Sequence, residues 1–355
     1  TTTTRALADV FSFSAGRLEL NWATSDTKPD IIHYMVMGGT DITNVKVVSK
    51  NMGTAAGNVS YTGVGFQGDF VNLITYGNTI AGIIANGSST VSTWIMGAAT
   101  SATAEWMFGG SSEHNSGSAD TYNYKEITAC LGNYECGTGS VTGLADFVSF
   151  GADGFTLNWS DAPANDLAFG ALVIKGGLWN VGNGTAPAST GDQTITTTSG
   201  RDAQGVMFFT WGATGTTSGA AGEAENRISI GGGDNNLVMG CMSAHDDDGA
   251  ATSVNTSISL NNKLIHAHTA NATAASSTVV AEATLTDMSS NGSFDVNWST
   301  TLSGMGYVWF TVSQAFAGGN NVQRALPAET ITSSDSRIVS RNKIRARTET
   351  VTASG

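Results

Sequence analysis

The chain has 355 residues, enough for two domains that each bury a core, and 40% of its residues are hydrophobic. Only 13% are charged, about half the usual share, while Gly, Thr, Ser and Asn are abundant, which is typical of a β-rich globular protein with many turns. A formal net charge of −13 excludes an extensive basic surface of the kind that binds nucleic acid, so we expect no direct nucleic-acid partner.

Targeting signals and disulfides are not expected. No apolar run approaches the ~20 residues that span a bilayer, and residues 1–5 lack the hydrophobic core of a signal peptide. We therefore expect a protein made in a cytoplasm, with no membrane partner. Cys130, Cys136 and Cys241 do not form a disulfide framework, and we expect reduced thiols, although Cys130 and Cys136 are close enough in sequence for a bridge across a tight turn.

The first predicted element is a β-hairpin at residues 7–22. Leu18, Leu20 and Trp22 alternate with polar residues there, which is the period-2 pattern of a strand with one buried face. The same hairpin recurs at residues 144–159, an offset of 137 from Leu7 to Leu144. A looser third copy keeps Phe294-Asp295-Val296-Asn297-Trp298. We expect Trp22 and Trp159 to occupy equivalent, core-facing positions.

The repeat continues beyond the hairpin. Three further segments match in order: residues 35–39 with 173–177, 74–77 with 209–212, and 94–97 with 237–240. Ordered matches at a nearly constant offset indicate an internal duplication, and a period of about 138 residues suits a whole domain rather than a solenoid repeat.

The predicted fold is all-β. The matched segments are short, β-branched or aromatic and bounded by turn residues, and no stretch shows a capped 3.6-residue stripe. Seven or eight strands per copy predict two tandem β-sandwich, jelly-roll-like domains with a C-terminal extended arm. The predicted parts are residues 1–143, the first module; 144–282, the second; 283–320, a partial third copy; and 321–355, the arm. Because a lone hairpin is not stable in water, the third copy either completes the second sandwich or pairs with a neighbouring chain.

Two local patterns suggest ligand sites, and for each we favour a simpler interpretation. Residues 63–68 have the glycine spacing of a dinucleotide fingerprint, but a strand rather than a helix follows, so we predict a turn. Asp246, Asp247 and Asp248 are weak candidates for a metal site. Crowded carboxylates can hold Ca²⁺, but the run lacks the spacing and distal Glu of an EF-hand, and we favour a solvated acidic loop and no metal.

No catalytic constellation stands out either. His266 and His268 lie two apart, and we predict an exposed strand face rather than a zinc site. Glu113 and His114 form an acid–base pair in a Gly- and Ser-rich loop, but no nucleophile elbow, zinc-protease motif or P-loop is present. We expect no catalytic residue, no cofactor and no enzyme activity, while a glycosidase stays open because its two carboxylates need not be close in sequence.

Several of these segments resemble a module of uncharacterised tailed-phage structural proteins. The resemblance rests on Ala145-Asp146-Phe147-Val148-Ser149-Phe150, Asp153-Gly154-Phe155-Thr156-Leu157-Asn158-Trp159, Val173-Ile174-Lys175-Gly176-Gly177 and Thr62-Gly63-Val64-Gly65-Phe66-Gln67. The first copy departs from the family wording, with Gly16-Arg17-Leu18 in place of Asp-Gly-Phe and Gly68 in place of Pro, and the second copy lacks the Gly-Val-Gly-Phe turn. The resemblance covers residues 7–320 in patches. It implies a virion part with a lectin-like or jelly-roll sandwich and carries over no catalytic residue.

Three functions follow as hypotheses. The first is a structural component of a phage virion, on the exterior of the head as a decoration or minor capsid protein, or on the tail. Its partners are copies of itself and other virion proteins, and it is made in the host cytoplasm. The second is a tail-fibre receptor- or glycan-binding module, in which exposed Trp and Tyr stack on a host-surface glycan. The third, a secreted polysaccharide-active enzyme, is disfavoured by the lack of a signal peptide.

The predicted arm differs in charge from the rest of the chain. Residues 321–355 carry a net charge of +3, against −16 for residues 1–320. Arg341, Lys343, Arg345 and Arg347 fall on every second position, so a strand would place all four on one face. We predict that this arm adds to a sheet, or packs in a groove, on an acidic surface of a neighbouring subunit.

Overall fold

The computed structural model describes residues 7–14, 17–24, 36–38, 40–76, 91–113, 121–135, 140–214, 221–222, 225–247, 255–270, 277–289 and 292–314. Within these ranges the chain is all-β and contains no helix, as predicted. Accordingly, the described part has no helix that is long and apolar enough to cross a membrane. The predicted arm at residues 321–355 lies outside the described residues.

The described chain forms 23 strands. Those of the first half are β1 (Leu7–Ser14), β2 (Arg17–Thr24), β3 (Ile42–Asn51), β4 (Gly57–Thr62), β5 (Phe70–Thr75), β6 (Val91–Ser101), β7 (Ala104–Glu113), β8 (Thr121–Glu126), β9 (Leu131–Tyr134), β10 (Val141–Gly151), β11 (Gly154–Asp161) and β12 (Ala168–Gly176). Those of the second half are β13 (Leu178–Thr185), β14 (Gly191–Thr196), β15 (Ala203–Thr214), β16 (Ala221–Gly222), β17 (Glu225–Asp234), β18 (Met239–Asp247), β19 (Asn255–Leu260), β20 (Ile265–Ala270), β21 (Ser277–Asp287), β22 (Ser293–Thr300) and β23 (Met305–Ser313).

Four large antiparallel sheets make up two sandwiches. Outer sheet 1 has the order β4-β11-β10-β9 and packs on inner sheet 1, β16-β8-β7-β6-β5-β12-β3. Inner sheet 2, β13-β23-β15-β17-β18-β19, packs on outer sheet 2, β14-β22-β21-β20. Apart from β16, each strand of one sandwich has a counterpart at the same place in the other. The prediction of two β-sandwiches from one duplication is therefore confirmed.

The strand pairing sets the boundaries of the sandwiches. Apart from the short strand β16, which joins inner sheet 1, the first uses strands from Ile42 to Gly176, and the second uses strands from Leu178 to Ser313. Each sandwich is thus closed by a hairpin and one strand that belong to the next copy of the sequence repeat. These boundaries lie later than residues 143 and 282, because a repeat alone does not show on which side of the hairpin a domain ends. The partial third copy pairs within the chain, where β21–β22 lies between β14 and β20.

Each sandwich has its own apolar core. In the first, the closing hairpin β10–β11 contributes Phe147, Leu157 and Trp159, each at most 2% exposed, which pack against inner sheet 1. In the second, Val296 and Trp298 of β22 are fully buried against inner sheet 2. Alternation along these strands explains the pattern, because every second side chain faces the inner sheet.

A third core joins the two sandwiches. The outward faces of inner sheets 1 and 2 pack on each other through a cluster that is largely aromatic. Phe70 stacks on Trp179 with ring centroids 4.2 Å apart, and the indole Nε1 of Trp106 donates a hydrogen bond of 2.9 Å to the carbonyl of Trp309. The two sandwiches are therefore one packed body rather than two domains on a linker.

A lysine lies at the same junction. Lys125 of β8 is 2% exposed, and its Nζ lies 5.0 Å from the ring centroid of Trp211 on β15. Burial lowers the pKa of Lys125, and among the described residues its ammonium has no hydrogen-bond partner. The indole face supplies a cation–π contact across the two sandwiches.

The hairpin β1–β2 is the exception to the sandwich pattern. It forms a two-stranded sheet and pairs with no other described strand. Trp22 and Trp159 do lie at equivalent hairpin positions, but Trp22 is 44% exposed while Trp159 is 1% exposed. The expectation that Trp22 faces a core was therefore wrong, and the core counterpart of Trp159 is Trp298.

Two equivalent glycines bring the sheets of each sandwich close together. The strand pairing aligns Gly97 with Gly231, so the expected match of residues 94–97 with residues 237–240 was wrong. A Cβ on Gly97 of β6 would lie 1.8 Å from the carbonyl oxygen of Cys130, and one on Gly231 of β17 would lie 1.8 Å from that of Leu264. Both contacts are with backbone, so no side-chain rotation relieves them. Gly205 on β15 differs, because its nearest neighbours lie 3.7 Å away.

We expect Gly97→Ala and Gly231→Ala each to lower the free energy of unfolding by about 3 kcal/mol or more, because the sheets must separate to admit the methyl group. Gly205→Ala is the matched control and should change stability by less than about 1 kcal/mol. Urea unfolding followed by tryptophan fluorescence measures all three. Equal stability of Gly97→Ala and Gly205→Ala would contradict the close approach.

Candidate functional site

The candidate site is the gap between two edge strands of an outer sheet that the closing hairpin of each sandwich fills. We call this gap the slot. In the first sandwich, β10 pairs with β9 on one side and β11 pairs with β4 on the other, so the hairpin lies between two edge strands. The second sandwich seats β21–β22 between β20 and β14 in the same way. The hairpin completes the outer sheet and covers the inner one.

The three hairpins share one register. Ala145 lies opposite Trp159, and the two register shifts of this hairpin fall between Leu144 and Ala145 and between Phe147 and Ser149. Equivalent register shifts occur in β1–β2 and in β21–β22. The common geometry comes from the common sequence, because each bulge changes which face the following residues occupy.

In each slot, a bulge in the first strand of the hairpin is the point at which the hairpin is bonded to the inner sheet. At the bulge the backbone N–H of Phe147 donates a 2.7 Å hydrogen bond to the Glu105 carboxylate on β7. At the equivalent place the N–H of Leu285 points to the Met239 sulfur on β18, at 3.4 Å. Inner-sheet side chains thus satisfy an amide that the bulge leaves without a ladder partner.

The turn at residues 63–68, which we call the glycine turn, holds the tip of the hairpin β10–β11. Asp153, in the turn between β10 and β11, accepts hydrogen bonds from the backbone N–H groups of Gly63 at 3.0 Å and Gly65 at 2.5 Å. These bonds lower the pKa of the Asp153 carboxyl. Gly63 and Gly65 both have positive φ, and strand β5 follows them, which confirms the prediction of a turn over a dinucleotide fingerprint.

On the face of β1–β2 that corresponds to a core, the described part of the structure leaves two large apolar side chains exposed. Val10 is 58% exposed and Trp22 is 44% exposed, whereas their counterparts Phe147 and Trp159 are 2% and 1% exposed. The two exposed apolar side chains on one face make this hairpin a candidate surface for binding protein. Sequence reasoning missed this site because the three hairpins look alike in sequence.

A groove of about 730 Å³ lies between residues 36–42 and inner sheet 2. Its walls are apolar and rich in methionine, with Met37, Met207 and Met242 among them, and its described lining contains no His, Lys, Arg or Glu. Of its two carboxylates, that of Asp234 accepts backbone hydrogen bonds within the β17–β18 turn. Asp41 supplies the other carboxylate.

Three buried histidines form a polar cluster inside the second sandwich. His266 and His268 of β20 are 5% and 1% exposed, so the prediction of an exposed strand face was wrong. The Nδ1 of His266 lies 3.1 Å from the Glu282 carboxylate, and that of His268 lies 3.0 Å from the Ser243 hydroxyl. His245 of β18 completes the cluster, with its ring centroid 6.2 Å from that of His268. The sequence did not indicate this cluster because His245 comes from a different strand.

The remaining sequence candidates are not brought together. Asp246 and Asp247 end strand β18, but their side chains, like all of Asp248, fall outside the description. The same holds for the Glu113 side chain, for His114, and for Arg341, Lys343, Arg345 and Arg347. Among the residues whose positions are described, no group of three or more His, Cys, Asp or Glu is placed to hold a metal ion. Cys130 and Cys241 are buried free thiols, while Cys136 is not described.

The tryptophans bear on the glycan hypothesis. All eight have described side chains: six are buried, Trp94 is half-buried, and Trp22 alone is exposed. Tyr76, at 61% exposed, is a further aromatic side chain on the surface. Stacking on sugars needs exposed rings, and most of the tryptophans serve the cores instead.

Comparison with protein-family models finds no match for this chain, and comparison with curated proteins finds none either.

The pH dependence of the second sandwich follows from His268. Burial, and then the neighbouring His266 and His245, lower the pKa of His268 from 6.5 to about 4. The unfolded chain therefore binds a proton between these pH values that the folded chain does not. This contribution to stability is full above pH 6.5 and is lost as pH falls toward 4, by at most about 1.4 kcal/mol per pH unit. We expect His268→Gln to flatten the dependence in urea unfolding between pH 7.5 and 4.5. An unchanged slope would contradict this cause.

Glu105 in the first sandwich should act with the opposite sign. Burial raises the pKa of Glu105 from 4.5 to about 7, so the folded chain holds a proton that the unfolded chain releases. Its contribution is full below pH 4.5 and is lost as pH rises through 7. Glu105→Gln, which cannot ionise, should therefore make the loss of stability on acidification steeper, whereas His268→Gln makes it shallower. If the two variants changed the slope in the same direction, one assignment would be wrong.

Proposed function

We propose that the protein is a structural component of a tailed-phage virion, on the exterior of the head as a decoration or minor capsid protein, or on the tail. The observation that carries the proposal is the hairpin β1–β2, which lies outside both sandwiches and exposes Val10 and Trp22 at positions that are buried in the other two hairpins. A two-stranded hairpin is at best marginally stable in water by itself, and a protein surface that covered this face would stabilise it. A repeated assembly, in which copies of this chain meet other virion proteins, provides that surface.

The body of the molecule supports the same role. Its two sandwiches share an aromatic core, and the hairpins are fastened to the inner sheets by buried hydrogen bonds. This is the construction of a rigid building block. The resemblance of its repeated segments to phage structural proteins points the same way.

The alternative function, a tail-fibre module that binds a receptor or glycan, has less support. Trp22 and Tyr76 are exposed, but Trp22 belongs to the core-type face of the hairpin. A secreted polysaccharide-active enzyme is the least supported, because one of the two carboxylates in the groove beside inner sheet 2, that of Asp234, already accepts backbone hydrogen bonds within a turn.

The basic arm extends the assembly role. Its residues lie outside the described part of the structure. A segment of net charge +3, attached to a body of −16, is drawn to acidic surfaces, including those of other copies. Arg341, Lys343, Arg345 and Arg347 are the residues we propose for this contact.

Localisation tests the function directly. An epitope tag inserted in the exposed β6–β7 turn at Ala102 leaves both ladders intact. We expect the tagged protein to co-purify with phage particles, and gold-labelled antibody to mark the outside of the head or the tail in electron micrographs. Particles made without the gene are the control and should carry no label. A tagged protein that stays in the soluble fraction, away from the particles, would contradict the proposal.

The arm has its own test. A chain of residues 1–320 should unfold in urea like the full chain but join particles less well. A full-length variant with Arg341, Lys343, Arg345 and Arg347 changed to Gln is the matched control, since it removes the charge and keeps the length. Raising the salt concentration should lower incorporation of the full chain toward that of the truncated chain, because salt screens exposed charges. Equal incorporation of all three chains at low salt would rule out the tether.

A further inference from the structure

The molecule contains more closing hairpins than slots. Three hairpins of one register are described, β1–β2, β10–β11 and β21–β22, whereas the described residues form two sandwiches. The second and third hairpins fill the two slots. The first hairpin is therefore surplus to the chain's own sandwiches.

The connectivity shows what kind of partner the surplus hairpin fits. Each sandwich is closed by the hairpin that follows its strands in sequence, so β10–β11 closes strands β3 to β9, and β21–β22 closes β13 to β20. Among the described strands between residues 40 and 314, none is left for β1–β2 to close. A second copy of this chain offers no vacant slot either, because its own two hairpins occupy both.

The chemistry of the face agrees with this assignment. In the seated hairpins, the positions of Val10 and Trp22 hold Phe147 and Trp159, or Leu285 and Trp298, all buried. Val10 and Trp22 are apolar like their counterparts, so β1–β2 retains the side chains that a slot requires. A hairpin with both faces exposed to solvent and no binding role would be expected to carry polar residues at these two positions.

We propose that β1–β2 is a closing hairpin for a third sandwich of the same wiring, outside residues 40–314, that lacks a hairpin of its own. The partner presents one free strand edge like that of β4 and one like that of β9, and β1–β2 pairs with both, as in strand complementation. Val10 and Trp22 then enter its core. This inference rests on the hairpin alone and holds whether or not the protein belongs to a virion.

The partner can be built from this chain. Residues 40–137, which carry β3 to β9, are fused ahead of the full chain, so that Leu7 follows the added Tyr134 at the spacing that Leu144 has in the protein. A matched fusion carries residues 138–177 in place of residues 1–39 and so closes the added strands with β10–β11 and β12. Both fusions expose the same outward face of inner sheet 1, so its effect cancels in the comparison.

Hydrogen exchange measured by mass spectrometry tests whether β1–β2 pairs with the added strands in the fusion. We expect the amides of β1–β2 to exchange rapidly in the full chain and to become protected in the fusion, together with the added strands. Val10→Asp should abolish the protection of β1–β2 and of the added strands, while the amides of residues 40–314 of the full chain stay protected. Asn21→Ser, which changes the opposite face of the hairpin, should leave all of these amides protected. Rapid exchange of β1–β2 in the fusion, beside protection of β10–β11 in the matched fusion, would overturn the proposal.

A measurement on the unfused chain provides an independent check. If β1–β2 is surplus, Trp22→Ala should leave the urea midpoint of the full chain unchanged, while Trp159→Ala should lower it markedly. An equal fall for both variants would mean that the hairpin already packs in its own chain, and the inference would be wrong.

Discussion

The rest of this structure depends on the need to cover one apolar face of each inner sheet. An inner sheet of β-branched and aromatic residues is unfavourable in water, and the outer strands that precede the closing hairpin in sequence, β4 and β9 in the first sandwich, leave the middle of it uncovered. The following hairpin supplies the missing cover and, through the next strand, a central member of the inner sheet as well. The buried Glu105 and Met239 contacts, the glycine turn and the close approach at Gly97 all serve this docking.

A second consequence concerns the two outward faces of the inner sheets. Each would be an exposed aromatic surface on an isolated sandwich, and they cover each other instead. Because Trp106 donates a hydrogen bond to the backbone of the other sandwich, the contact fixes the relative position of the two halves as well as burying area. Lys125 also lies in this junction, with its ammonium over the ring of Trp211.

Much of the architecture was readable from the sequence because a duplication repeats its hydrophobic pattern. The alternation of Leu18, Leu20 and Trp22, and of Phe155, Leu157 and Trp159, located hairpins correctly. It did not reveal that one hairpin stands outside the cores, since identical patterns arise whether or not a partner is present. The boundary of each sandwich was hidden for the same reason. The histidine cluster was also hidden, because the neighbours of His268 come from strands that only the folded topology brings together.

The histidines and Glu105 illustrate a further limit of sequence. Both were unremarkable as residue types, and their protonation behaviour arises from burial, which depends on the closed sandwich around them. The duplicated halves therefore differ in their buried polar groups, although the strands around those groups follow the same order in both sandwiches.

The position of β23 has a mechanical consequence. This strand is the last described element, and it lies inside inner sheet 2, with β13 on one side and β15 on the other along nearly its whole length. Hydrogen bonds of antiparallel ladders run perpendicular to the strands. A pull along the chain at Gln314 would therefore load both ladders in shear, with many bonds sharing the force, instead of opening them one after another. Because β23 pairs with a strand on each side, it both completes inner sheet 2 and resists being pulled out of it.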